Sequence, residues 1–143
     1  MAKFNIDRIR QLAGEMNLSL SKLETTSKLG KEDFLKSPDK IDSTKYNLII
    51  AIEAAIDISN HIVAKAGGRT PQDYADCFTV LGELGVFSEE FVERLQKMAR
   101  FRNLLVHLYW QVDNEKVFEV IRENLVDLKK YLQGIGKFIR ESV

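Results

Sequence analysis

The chain has 143 residues, 45% hydrophobic and 29% charged, enough for one soluble globular domain over residues 1–143 with a single core. Lysine plus arginine and aspartate plus glutamate each number 21, so the net charge is zero. That argues against a bulk nucleic-acid coat and confines any nucleic-acid binding to a local patch such as a cleft. Cys77 is the only cysteine, so no intrachain disulfide forms, and with two histidines in all the composition argues against zinc.

Other classes fall away on pattern. The N-terminus lacks an apolar signal core, and no apolar run approaches the ~18 residues of a membrane helix, so a cytoplasmic protein with no membrane contact is expected. Gly67-Gly68 fits neither a dinucleotide loop nor a P-loop, so no cofactor is expected.

In chain order, the spacing of Phe4, Ile9, Leu12, Met16, Leu20 and Leu23 predicts a first helix over 4–25. Leu29 to Pro38 reads as a connector with one turn at Glu32–Leu35. Residues 39–65 predict the longest helix, with Ile49, Ile52, Ile56 and Val63 on its apolar face and Glu53 and Asp57 one turn apart. Gly67-Gly68 ends it, and Thr70-Pro71 is placed to start a short helix running to about Leu84. Ser88 with Glu89 and Glu90 opens another, expected to run to about Trp110. A last helix is expected from Asp113 almost to the end, weakened by about 1 kcal/mol at each of Gly134 and Gly136. The expectation is therefore an all-α antiparallel bundle of about four long helices and one short one, with no β-hairpin.

Residues 98–110 concentrate the chemistry. At about 100° per residue, Phe101, Leu104, Leu105 and Leu108 form a stripe expected to face the core. Arg102, Asn103, His107 and Tyr109 span an arc of roughly 160° on the other side. Imidazole as a side-chain type suits proton transfer around neutral pH, which makes His107 a candidate; Arg102 is permanently charged and can bond two oxygens of an anion. Asn103, one turn before His107, is a candidate to orient the imidazole or bind substrate. His61 and Cys77 are expected to be structural, and Glu53 and Asp57 to form salt bridges or support Arg102. Trp110, Tyr46 and Tyr74 are expected in the core, with a dimer interface as their other use.

The run Met98-x-x-x-Arg102-Asn103-x-x-x-His107-x-Tyr109 resembles the R-x4-H-x-Y signature of HEPN-domain ribonucleases, specifically the HepT-type toxins. Ala54-x-x-Asp57-Ile58-x-x-His61-Ile62 and Gly68-x-x-Pro71-x-x-Tyr74 are similar to that family's other patterns. The likeness covers about residues 40–125. It implies a single HEPN/HepT-like helical domain, a symmetric homodimer and a metal-independent endoribonuclease toxin acting on RNA and not DNA. Arg102, His107 and Asn103 would be catalytic, in a cleft at the dimer interface. It also implies an MNT-type nucleotidyltransferase antitoxin as partner, with Tyr109 as the AMP acceptor. The other reading is a catalytically silent HEPN dimer that serves as a binding module for such a nucleotidyltransferase.

Overall fold

A computed structural model describes residues 4–142. Among them the chain forms seven α-helices and one 3-10 turn: α1 Ile6–Ser27, α2 Lys31–Leu35, α3 Pro38–Lys65, α4 Asp76–Glu83, α5 Glu89–His107, the turn Tyr109–Gln111, α6 Asn114–Glu123 and α7 Leu125–Glu141. The starts follow cap chemistry. Asn5, Ser37, Ser88 and Asp113 each accept a backbone N–H of the first turn through the side chain. Gly67 and Gly85 stop helices in the left-handed region, at φ +80° and +82°.

α3 is the central element. α1 packs along it more extensively than any other pair of helices, and α4, α5, α6 and α7 also touch it. The core is apolar and closely filled, with Phe34, Leu48, Ile52, Ile58, Ile62, Phe78, Leu81, Leu95, Leu105 and Tyr131 wholly or almost wholly buried. α3 is, by length and composition alone, able to cross a membrane, contrary to the expectation that no segment was. Of that apolar window 61% is buried inside the bundle, so its apolar residues serve as core.

Three boundaries differ from expectation, two of them outside the motif. The C-terminal helix is divided at Asn124, which caps α6 at φ −112° and ψ −5° before α7 begins at Leu125. There the nearly buried Asp127 meets Arg94 from α5 at 3.5 Å and accepts from the Asn124 side-chain amide at 3.5 Å. Thr70-Pro71 does not open α4; the helix starts at Asp76. Arg69 bonds both Asp76 (2.7 and 2.8 Å) and Glu83 (3.0 Å), and the Gln72 N–H donates to Asp76. This clamp holds residues 69–75 as a loop and carries Tyr74 out of helical register.

Candidate functional site

The rotation of α5 decides what the motif presents. Its buried residues are Val92, Leu95, Met98, Ala99, Phe101 and Leu105. That face is turned roughly a quarter of the circumference from the stripe expected from residues 98–110. Leu104 and Leu108 are consequently 47% and 43% exposed instead of core-facing. Arg102, expected on the displayed side, lies on the buried face, and its side chain is only 11% exposed. The cause lies upstream. Val92, Leu95 and Ala99 are buried where α5 packs in the bundle with α3 and α4, and the last turns continue in their phase.

A charge on that face needs partners. Arg102 Nη2 donates to Glu53 Oε1 at 2.5 Å, and Nη1 donates to Asn103 Oδ1 at 3.0 Å. The Tyr74 ring lies 4.8 Å from the guanidinium carbon. Nε is buried and without a hydrogen-bond partner among the described residues. Glu53, Ile56, Asp57, Tyr74 and Arg102 line one cleft of about 210 Å³. Tyr74 also lines a second cleft of about 300 Å³ with Asn103, Arg100 and Gln96. Burial pushes the Asp57 carboxyl up, opposed by Arg8 and reinforced by Glu53.

His107 is the last residue of α5 and is exposed. Asn103 accepts from Arg102 and not from the imidazole, so the orienting role considered for it is not seen in this geometry. Leu108 leaves the helical region at φ −127° and ψ 37°, which ends α5 before Trp110 and swings Tyr109 away from the helix. The Tyr109 hydroxyl donates to Asp42 Oδ1 at 2.8 Å. Lys45 Nζ donates to the Tyr109 carbonyl oxygen at 2.8 Å and sits 4.4 Å from the ring centre. Burial and the Asp42 carboxylate push the Tyr109 phenol up to about 12.

Sequence reasoning missed three of these neighbours: Asp42, Lys45 and the stacking of Tyr74 on Arg102. A lysine at position 45, followed closely by the apolar run from Leu48, was the available signal for the second. The flanking residues are structural. His61 accepts the Asn5 N–H at 2.9 Å, tying α3 to the start of α1, and burial and then Lys65 lower its pKa. Cys77 is fully buried, and its thiol is pushed up to about 12 by burial. Tyr46, Tyr74 and Trp110 are 63%, 50% and 86% exposed, so core packing is not their use. No three His, Cys, Asp or Glu side chains gather as a metal site among the described residues.

Comparison with known proteins places the chain in a family. A family model described as ribonuclease HepT-like matches residues 5–135. The chain is 40% identical over 101 residues to an Archaeoglobus fulgidus protein provisionally named an RNase, spanning 71% of this chain and 76% of that one. It is 32% identical over 105 residues to the mRNA nuclease HepT of Shewanella oneidensis, spanning 73% and 76%. The fold superposes with a TM-score of 0.85 and 27% identity on the tri-AMPylated Shewanella oneidensis HEPN toxin solved in complex with its MNT antitoxin, covering 92% of this chain and 98% of that one. With 131 of its positions inside that model, the chain belongs to the HepT-like ribonuclease family.

Proposed function

We propose that this chain is a metal-independent endoribonuclease toxin, active as a homodimer and restrained by an MNT-type nucleotidyltransferase antitoxin. One observation carries the reading. Arg102 is held by Glu53 and Asn103 with one nitrogen left unpartnered, on the same helix as an exposed His107 five positions on. A guanidinium anchored in this way at the wall of a cleft is suited to an anionic oxygen.

The reaction that fits is internal transfer. The ribose 2′-OH attacks the adjacent phosphorus, the bond to the 5′-oxygen breaks, and a cyclic phosphate remains. One imidazole takes the 2′-OH proton and a second gives a proton to the leaving oxygen. Arg102 holds the non-bridging oxygens as charge builds on them. Because each chain brings one motif histidine, two copies of the 102–109 segment must meet to supply both. Leu104, Val106, Leu108 and Trp110 are exposed apolar residues beside His107 and supply the surface for that meeting. AMP attached to Tyr109 would add a bulky anion to the same groove and exclude RNA.

The test is cleavage of RNA by purified chain in excess EDTA. The expected products carry 2′,3′-cyclic phosphate and 5′-hydroxyl ends, and His107→Ala and Arg102→Ala abolish them. Intact RNA with a properly folded wild-type dimer, and wild-type expression harmless without the partner, would leave the silent binding module as the better reading.

A further inference from the structure

We propose that Asp42 accepts the proton of the Tyr109 hydroxyl as that hydroxyl is nucleotidylated, with Lys45 fixing the ring at the carboxylate. This rests on the reading of Tyr109 as the AMP acceptor and adds the residues of this chain that prepare it.

The geometry is built from two elements. Tyr109 heads the 3-10 turn after α5, and its ring falls across the N-terminal half of α3. Asp42 and Lys45 are three apart, so one turn of α3 presents both to it. The carboxylate takes the hydroxyl at 2.8 Å. The ammonium holds the Tyr109 carbonyl oxygen at 2.8 Å and lies over the ring. Lys45 is 3% exposed, and a lysine is buried to that degree only with partners. Its hydrogen bond and its cation–π contact both go to Tyr109. Asp42 itself is exposed and Tyr109 partly so, which leaves the hydroxyl open to a second protein.

The chemistry needs such a carboxylate. At neutral pH the phenol is protonated, and a neutral phenol is a weak nucleophile. In the transfer, its oxygen bonds to the α-phosphorus of a nucleoside triphosphate supplied by the partner enzyme. The bond from that phosphorus to the bridging oxygen breaks, and pyrophosphate leaves with the electron pair. The phenolic proton passes to Asp42 along the existing hydrogen bond and from there to water. Lys45 offsets part of the repulsion between the Asp42 carboxylate and the incoming triphosphate.

The experiment uses the full-length chain, its nucleotidyltransferase partner and magnesium ATP, read by intact mass and peptide mapping. Wild type is expected to gain AMP on Tyr109. Asp42→Asn is expected to slow the first transfer about tenfold or more near pH 7.5, with a rate that climbs steeply as pH rises toward phenol ionisation. Asp42→Glu is expected to restore part of the rate. A merely structural aspartate would move neither the pH profile nor the Glu rescue. Wild type modified on Tyr109, with Asp42→Asn matching it from pH 6.5 to 9, overturns the role of Asp42 and leaves Tyr109 as acceptor. Wild type that gains no AMP, or gains it elsewhere, overturns the Tyr109 reading and this proposal with it. Thermal melts of each variant, with Asp42→Ser as a second removal of the carboxylate, exclude misfolding as the cause.

Discussion

Glu53 and Arg102, 49 positions apart in the chain, meet end to end at 2.5 Å on the face of α5 that packs against α3. The carboxylate aims the guanidinium and at the same time competes with any phosphate for it. Glu53→Gln keeps an acceptor but removes that competing charge. Cleavage at saturating RNA is expected to fall about tenfold while KM does not rise. Because the Glu53 side chain is 38% exposed, the stability cost is limited to about 1 kcal/mol. Arg102→Lys keeps charge but loses the fork, and is expected to cost about a hundredfold in rate. A lysine variant of wild-type rate would show that bidentate grip is not used.

Two glycines in helices predict opposite outcomes. Gly14 lies exposed in α1, and a Cβ there would meet nothing within 4 Å. Gly14→Ala is expected to stabilise by about 0.5–1 kcal/mol. A Cβ on Gly134 would overlap the Phe87 ring, which packs against Tyr131 at 5.6 Å. Gly134→Ala gains the same propensity but must push that ring aside, and is expected to destabilise by about 1–3 kcal/mol net. Chemical denaturation of both variants checks the contrast.

The clamp on the 69–75 loop sets an acid limit. Hydrogen bonds from Arg69 and from the Gln72 N–H hold the Asp76 carboxyl at about 2, below its ordinary 3.8. A depressed carboxyl adds stability that is fully present above the unfolded value and is lost as pH falls through the folded one. This contribution therefore disappears between about pH 4 and pH 2. Asp76→Asn is expected to flatten that part of the melting-temperature profile. Because Tyr74 rides on the clamped loop, the variant should also loosen the stacking on Arg102. Identical acid profiles for wild type and variant would remove the clamp from the account.

How far the residues alone disclosed this arrangement varies by element. Apolar spacing announced α3, and the glycine stop and the Ser88 cap announced its end and the start of α5, because such chemistry is local and Gly67 and Ser88 act within a turn of where they stand. The break at Asn124 was hidden, since the apolar spacing continues through it and the contact of Arg94 with Asp127 comes from another helix. The pairing of Glu53 with Arg102 was legible only as a choice between general salt bridging and support of that arginine. The facing of α5 was misread because a thirteen-residue window cannot see that Val92 and Leu95 set its phase. Asp42 under Tyr109 depends on the chain leaving the helix at Leu108, a turn that no spacing rule supplied.

The misread stripe leads to a last prediction. Leu104 and Leu108 were assigned to the core by their spacing, yet they lie exposed with Val106 and Trp110 around His107. Apolar residues so grouped are expected to close against a second copy, and if they do, acid and base come from different subunits of one cleft. A dimer with one wild-type and one His107→Ala subunit would then lack one of the two proton carriers and be inactive. Mixing and re-equilibrating equal amounts of both chains should leave about a quarter of the wild-type activity, the fraction of fully wild-type dimers. A fall to only one half would mean that each subunit cleaves alone, and the shared cleft would be abandoned. Leu104→Asp should act on the same step from the other side, giving monomers by sedimentation and no cleavage at any concentration.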